Sequence, residues 1–492
     1  MRKIINSLPL TKDSNQFFIL IFIILYLFYD LIHLKSIPVG PDVGVFLTNA
    51  RDLVQYGRIP GVDTFGIYTP LGYLFYAIPF VIFSEPDIYW FYILNLFLFL
   101  ISTLIALRIF NVLFKNKIFI LFAILSFIYS FHGIVYDVKL ENLVLFLNLL
   151  IIKLLLTKAN ESSYQKTIII GFLTALTFLT KQYGGLSLIY SILYIIYSNN
   201  KSKTIKQIFL IITTFCVTIL LFLFNQMFNG VDFIDAINQL KGDFGFECTG
   251  VNSGGIGIYG EKDFLNLIKS LKYHKLNVLL IISAILFIVK IVYFKTKNTN
   301  NTKEVLILLT CYLLMGIPFY FQMFPHYIMF GLPFVLFFQL KLISDFVNNN
   351  YFKLVQYTLY INYVAVIFIS SYTIWVQRKT INKLEIKKET DQLFYNHVNA
   401  LIPKKSCVFV LNNRQLWFSA AFVTPVPKTM GYSWAGISCL KEAIKIEKPE
   451  NFWISNIEEL TDNCYFEGYV KTKNVSLVEN ERKFYAVHFD KR

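Results

Sequence analysis

Long apolar runs separated by short polar segments fill most of the first 376 residues of the chain. Most of these runs are about 17 to 24 residues long and rich in Leu, Ile and Phe, which suits helices that cross a bilayer. The pattern predicts a polytopic α-helical membrane protein with about eleven transmembrane helices. The predicted spans are 17–34, 89–112, 118–134, 140–156, 167–181, 184–198, 208–228, 276–293, 305–321, 326–342 and 354–376.

The distribution of charge between the spans predicts how the chain is oriented. Lys and Arg are more frequent in the segments on the side of the N-terminus, whereas Asp and Glu are more frequent in the segments on the other side. Because cytoplasmic segments are enriched in Lys and Arg, the N-terminus is predicted to be cytoplasmic. No small-residue cleavage site follows the first run, so that run is interpreted as a span. The expected location is the cell inner or plasma membrane, with several passes.

The composition supports a membrane protein and argues against nucleic acid as a partner. Of 492 residues, 55% are hydrophobic and 16% are charged, against about 25% charged in soluble domains. The net charge of +15 is explained by basic residues that flank spans on the cytoplasmic side. No nucleic-acid recognition motif accompanies this charge.

The chain divides into a transmembrane domain, 1–376, and a C-terminal region, 377–492, that contains no apolar run of spanning length. Two strand-like runs in this region, "SCVFVL" and "KFYAVHF", are separated by polar and turn-rich sequence. They predict a small α+β domain, which an odd number of spans places outside the cell. Four cysteines also fall outside, and they allow disulfides in three alternative pairings: Cys248, Cys407, Cys439 and Cys464.

Two helices are predicted in the first large outer loop, 35–88. The first begins at Pro41 and ends before Gly57, with apolar residues at helical spacing on one face. It is too short and too polar to span, so it is expected to lie along the outer membrane surface. Its polar face, which we expect to be solvated, carries Asp42, Asn49, Asp52 and Gln55.

The second helix of this loop is predicted to begin at Pro70 and to be kinked or ended by Pro79. It is aromatic and also too short to span comfortably. Tyr73 and Tyr76 are expected at the level of the lipid headgroups. The other large outer loop, 229–275, is rich in glycine but lacks the Lys-Ser/Thr ending of a nucleotide-binding loop, so it is interpreted as a lid over a cavity.

The order of motifs in and after the first loop resembles that of the C-type (GT-C) glycosyltransferases. The closest pattern is the superfamily of the protein O-mannosyltransferases and the lipid A aminoarabinose transferase. The matching positions in the loop are Asp42, Phe46, Ala50-Arg51-Asp52, Gly57, Pro60 and Pro70-Leu71. Further along, "FLTKQYGGL" (178–186) is similar to the Thr-Lys-x-x-Gly segment of the family, and "PHYIMFGLPFVLF" (325–337) is similar to its late span.

The resemblance implies an integral-membrane enzyme that moves a sugar from a polyprenyl-phosphate carrier to a hydroxyl acceptor at the extracytoplasmic face. The acceptor can be a glycan, a lipid or a protein. Asp42 is the expected catalytic base, since a hydroxyl needs a positioned base to become a good nucleophile. Many members carry two adjacent acids here, whereas Asp42 is followed by Val43. The resemblance therefore leaves the presence of a divalent cation open.

Other candidate site residues lie in the first outer loop or at the predicted outer ends of the spans. Lys181, His326 and Tyr327 are candidates for binding the lipid phosphate, because a leaving phosphate needs cations or hydrogen-bond donors. Asp63, Asp137 and Glu141 are candidate supporting acids, the last two spaced i, i+4 on one helix face. For each residue the structural alternative is an ion pair or a side chain that reaches the interface.

Two other functions stay open on the sequence alone. One is a polysaccharide polymerase or ligase of another fold. Such proteins usually depend on arginine-rich outer loops, whereas the outer loops of this chain are acidic. The other is a membrane transporter, which would show polar residues and broken helices at mid-span. The spans here are mostly uninterrupted, with polar residues at their outer ends.

Overall fold

The structure of the chain is a computed structural model. Apart from isolated positions, it describes residues 41–60, 70–83, 88–135, 140–156, 164–198, 201–241, 309–315, 330–348, 353–369, 408–410, 448–456, 466–479 and 482–492.

The described part of residues 1–376 is helical. The helices are α1 Pro41–Tyr56, α2 Pro70–Ile82, α3 Ile88–Leu113, α4 Lys117–Val135, α5 Glu141–Leu156, α6 Tyr164–Thr180, α7 Leu186–Ser198, α8 Lys201–Phe228, α9 Phe233–Lys241, α10 Leu332–Asn348 and α11 Lys353–Ile369. A 3₁₀ turn, Gln182–Gly185, joins α6 to α7. Predicted spans 89–112, 118–134, 140–156, 167–181, 184–198, 208–228 and 354–376 thus correspond to helices.

Helices α1 and α2 begin where the sequence predicts. Pro41 is the first residue of α1, and Gly57, just past its end, has a positive φ of 66° that favours glycine. Pro79 lies inside α2 and does not end it, since the helix runs on to Ile82.

The two helices pack against each other through aromatic rings. The ring of Phe46 lies 6.2 Å from Tyr73 and 5.9 Å from Tyr76, and both tyrosines are fully buried. Both side chains therefore pack inside the protein instead of facing lipid headgroups, and their level in the membrane stays a prediction. The exposed side of α2 is aliphatic instead, with Val81 and Ile82 as its most exposed members. An aromatic ring offers more area to bury than an aliphatic chain, which favours the observed rotation of the helix.

Helices α3 to α7, α10 and α11 form most of the main core, to which α8 and the helical residues 309–315 also contribute, and most of its residues are Leu, Ile and Phe. Within the described ranges, two helices are long and apolar enough to cross a membrane unaided, Tyr89–Leu113 and Lys203–Phe228. The second is only 11% buried inside the protein and exposes apolar side chains such as Phe209 and Leu221. Such a surface is unsuited to water and suited to lipid.

Hydrogen bonds and packing identify the two ends of the bundle. At one end, the side chain of Asn348 accepts from the backbone of Lys115 at 3.0 Å and donates to the carbonyl of Leu113 at 2.9 Å. At the other end, which we call the site end, the start of α5 meets the end of α6, and α2 packs beside them. The site end is the end predicted to face outward.

Helix α10 is displaced from its prediction. It covers Leu332–Asn348 instead of 326–342, so six residues that were expected inside a polar inner segment are helical. Pro333, the second residue of α10, suits the first turn of a helix and is consistent with the later start.

The described part of the C-terminal region is a four-stranded sheet of order β1-β2-β4-β3. Its strands are β1 Val408–Val410, β2 Asn451–Asn456, β3 Tyr469–Glu479 and β4 Arg482–Lys491. β1 and β2 are parallel, and the other pairs are antiparallel. The two strand-like runs of the sequence are both part of this sheet. The ring of Phe452 stacks on Phe489 at 5.2 Å and forms the core of one face.

Several predicted features lie outside the described residues. They are span 17–34, most of span 276–293, Asp63, Asp137, His326, Tyr327 and the cysteines 248, 407, 439 and 464.

Candidate functional site

A buried ion pair joins two of the candidate site residues. Lys181 Nζ lies 2.6 Å from Glu141 Oε1, and the two side chains are 4% and 2% exposed. The residues are 40 positions apart in the chain and come from the end of α6 and the start of α5. Charges this deeply buried need a partner, because solvation is lost. The pair therefore fixes both side chains at the site end.

The backbone around Lys181 is held in a tight turn. Lys181 is extended, with φ −159° and ψ 136°, between α6 and the 3₁₀ turn. Its amide donates to Thr177 at 3.1 Å, and its carbonyl accepts from Gly184 at 2.7 Å. A β-carbon on Gly184 would lie 2.0 Å from the carbonyl oxygen of Thr177, so only glycine fits there. The Thr-Lys-x-x-Gly motif thus has a structural basis.

Phe330 packs beside the ion pair. Lys181 Nζ lies 5.7 Å from the centre of the Phe330 ring, a distance at which an ammonium is attracted to the ring face. The backbone carbonyl of Phe330 accepts from Asn148, two turns along α5 from Glu141. Val144 and Tyr183 pack against the same ring. The ammonium is therefore bounded by a carboxylate and an aromatic ring, both on well-packed elements.

The first outer loop contacts the residue that precedes the ion pair. A β-carbon on Gly72 of α2 would lie 2.5 Å from a methyl group of Leu140, which is fully buried. Because Leu140 is bonded to Glu141, the close approach of α2 brings the loop against the start of α5. Asp42 is the second residue of α1, one turn before Phe46, and Phe46 packs on α2. A continuous set of packed residues thus connects the helix of Asp42 with Lys181.

Helix α1 has a buried polar side that the sequence did not predict. Asp52, which was expected to be solvated, is 1% exposed and accepts from Arg51 Nη2 at 2.8 Å and Nε at 3.0 Å. Asn49 is fully buried as well. The expectation failed because it treated α1 as an isolated surface helix, whereas α1 is covered on more than one side. Asp52 is consequently held in an ion pair.

The second large outer loop reaches the first one through α9. Gln239 Nε2 donates to the carbonyl of Pro60 at 3.1 Å, and Gln239 is fully buried. Val231 and Ala236 pack with Ile59 in a small apolar cluster. The connection between α1 and α2 is therefore tied to the start of loop 229–275. The interpretation of this loop as a lid stays a prediction, since residues 242–275 lie outside the described ranges.

The structure brings two of the predicted site residues into direct contact and describes the others incompletely. Lys181 and Glu141 are paired, and Asp42 lies in α1. Asp63, Asp137, His326 and Tyr327 lie outside the described residues. In sequence, Asp137 is four residues before Glu141, and His326 and Tyr327 are four and three residues before Phe330. In the part of the chain that is described, no cluster of three or more His, Cys, Asp or Glu could hold a metal ion.

The sequence did not single out Phe330, Asn148 or Gly72 as parts of this site. Phe330 and Gly72 sit in apolar aromatic stretches where nothing separates one such residue from its neighbours. Asn148 carried a usable signal, since an amide in the middle of a predicted span is costly unless it has a partner. Its helical spacing of seven from Glu141 places both on one face of α5.

Comparison with known proteins supports the fold. No protein-family model and no curated protein matches the chain. Among solved structures, the chain is similar to ArnT from Cupriavidus metallidurans, whose crystal structure is bound to undecaprenyl phosphate. The match has a TM-score of 0.57 at 10% sequence identity and covers 94% of this chain and 97% of that one. The resemblance found in the first loop is thereby confirmed for the fold, which is similar to that of ArnT.

Proposed function

We propose that this protein is an integral-membrane glycosyltransferase that takes a sugar from a polyprenyl-phosphate carrier and transfers it to a hydroxyl acceptor. The observation that carries the proposal is the likeness of nearly the whole chain to an ArnT bound to undecaprenyl phosphate. The acceptor is a glycan, a lipid or a protein, at the extracytoplasmic face of the inner or plasma membrane. A polymerase or ligase of another fold is disfavoured by the same likeness.

The reaction needs a base for the acceptor hydroxyl, a cation for the leaving phosphate and an apolar surface for the lipid tail, and the chain offers a candidate for each. The acceptor hydroxyl attacks the anomeric carbon, and its proton passes to the carboxylate of Asp42. A carbon–oxygen bond forms to the acceptor, while the bond between the sugar and the phosphate oxygen breaks. The carrier leaves as a polyprenyl phosphate with additional negative charge, which a nearby cation stabilises. The lipid tail stays in contact with apolar helix surface.

Lys181 is the proposed cation for the phosphate. Its ammonium is held by packed elements at the site end, so it needs little reordering to bind an anion. Gly72 of the first loop packs against Leu140, which precedes Glu141 in the chain. This contact brings the first loop close to the ion pair of Lys181 and Glu141, and it supports a common site with Asp42. His326 and Tyr327 are proposed to bind the same phosphate because they lie only four and three residues before Phe330 in sequence. Asp63 and Asp137 are proposed as supporting acids near the acceptor.

A transporter is the second candidate, and the arrangement of polar residues argues against it. Among the described residues, the buried charged side chains lie in the first loop or at the site end: Arg51, Asp52, Glu141 and Lys181. An alternating-access carrier would be expected to place its charged residues near mid-span.

The test is transfer of radiolabelled sugar by the purified protein from a panel of polyprenyl-phosphate sugars to a panel of acceptors. The wild type should label at least one acceptor, and Asp42→Asn should reduce the rate about 10²- to 10⁴-fold. Glu467→Gln, an exposed change in the turn before β3 of the C-terminal region, is the matched control. Solute uptake by the wild type, with no labelling from any donor, would favour the transporter.

A further inference from the structure

Glu141 makes it possible for Lys181 to be buried as a cation. The ammonium is 2.6 Å from the carboxylate, and its other described neighbours include the apolar ring of Phe330. A buried ammonium is poorly solvated, so its charge has to be compensated by an anionic partner. Glu141 supplies such a partner for Lys181.

The carboxylate itself is placed by rigid structure. Glu141 is the first residue of α5, where the helix dipole favours a negative charge. On one side of it, Leu140 is buried beneath Gly72 of the first loop. On the other side, Val144 packs on Phe330 one turn along the helix. Glu141 therefore has little freedom to leave its partner.

Stability alone is a weak reason for such a pair. A buried ion pair can often be replaced by apolar side chains of similar size without loss of stability, because desolvation offsets the attraction. What apolar residues cannot supply is a charged ammonium beside an anion. An ammonium carries three N–H donors, so a bond to Glu141 does not prevent another to a phosphate oxygen.

We infer that Glu141 is a positioning residue that holds the ammonium of Lys181 in place to bind the phosphate of a polyprenyl-phosphate donor. The inference rests on the proposed function. In this inference Glu141 acts by positioning Lys181 and takes no part in the proton transfer to Asp42. Loss of Glu141 should therefore weaken binding of the lipid phosphate even when no acceptor is present.

The first measurement is the Kd of undecaprenyl phosphate for the full-length protein in nanodiscs, without any sugar transfer. If the wild type does not bind this lipid, the proposed function itself is contradicted. If it does, Glu141→Gln, which removes the charge with little change in shape, should raise the Kd about 10-fold or more. Glu467→Gln should leave the Kd unchanged. A Glu141→Gln protein that binds like the wild type would overturn the inference.

The second measurement separates the charge at residue 181 from the stability of the pair. The reversed pair, Glu141→Lys with Lys181→Glu, restores opposite charges but moves the cation to α5. Its Tm should recover relative to Glu141→Lys alone, while the Kd stays raised. Recovery of wild-type affinity would mean that only an intact pair is needed, which contradicts the inference. Should the reversed protein not fold, the comparison of Glu141→Gln with Glu467→Gln decides.

Discussion

Gly184 packs so closely against the backbone of Thr177 that a β-carbon on Gly184 would lie 2.0 Å from the carbonyl oxygen of Thr177. The contact closes the turn that presents Lys181. Because the oxygen belongs to the backbone of α6, it cannot move aside as a side chain could.

Gly184→Ala should therefore destabilise the protein by about 1–3 kcal/mol and displace Lys181. The measurements are the Tm in detergent and the Kd of undecaprenyl phosphate. Gly185→Ala is the matched control, since its β-carbon would meet the side chain of Phe178 at 3.1 Å, and a side chain can turn away. Equal effects of the two substitutions would show that the backbone contact is not what positions the turn.

Lys181→Ala should weaken the binding of the donor more than the binding of the acceptor. The substitution removes the proposed phosphate cation and takes the ammonium away from the buried carboxylate of Glu141, so the KM for the donor should rise about 10-fold or more. The KM for the acceptor should change little. Lys115→Ala, an exposed lysine at the opposite end of the bundle, is the control. An unchanged donor KM in active Lys181→Ala would remove Lys181 from the site.

The ion pair inside α1 makes a prediction about stability. Arg51→Ala leaves Asp52 buried without its guanidinium, and loss of one partner of a buried pair costs about 3–5 kcal/mol. The corresponding change in an exposed pair should cost at most about 1 kcal/mol. Asp490→Asn provides that comparison, because Asp490 is 48% exposed and lies 3.6 Å from His488. Thermal unfolding of both variants would be compared, and equal shifts in Tm would contradict the burial of Asp52 in α1.

The local elements of the first loop could be predicted because proline and glycine mark their ends. Pro41, Gly57 and Pro70 have restricted or special backbone conformations, and these act whatever the rest of the chain does. The start of α10 was misplaced because no charged residue separates His326, where the span was predicted to begin, from Leu332. The signal that was present, Pro333, was outweighed by hydropathy.

The pairings inside the site could not be predicted, since they depend on which helices are neighbours. The sequence placed Lys181 and Glu141 at the same end of the bundle, but nothing in it specifies that α5 and α6 present them to each other. The burial of Asp52 was missed for the same reason, because helical periodicity describes one helix and not what covers its polar side. Asp52 therefore looked solvated although it is enclosed.

The contact between the two outer loops gives the last prediction. Gln239→Leu removes the donor to Pro60 and leaves that carbonyl buried, which should cost about 1–3 kcal/mol. Since Pro60 lies three residues before Asp63, release of the loop should also raise hydrogen exchange in residues 57–60 and in α9. Gln226→Leu, at a half-buried position in the last turn of α8, is the control. If exchange rises equally in both variants, the hydrogen bond of Gln239 does not hold the loops together. If it rises only in Gln239→Leu and sugar transfer falls with it, the two loops act as one unit around the proposed site.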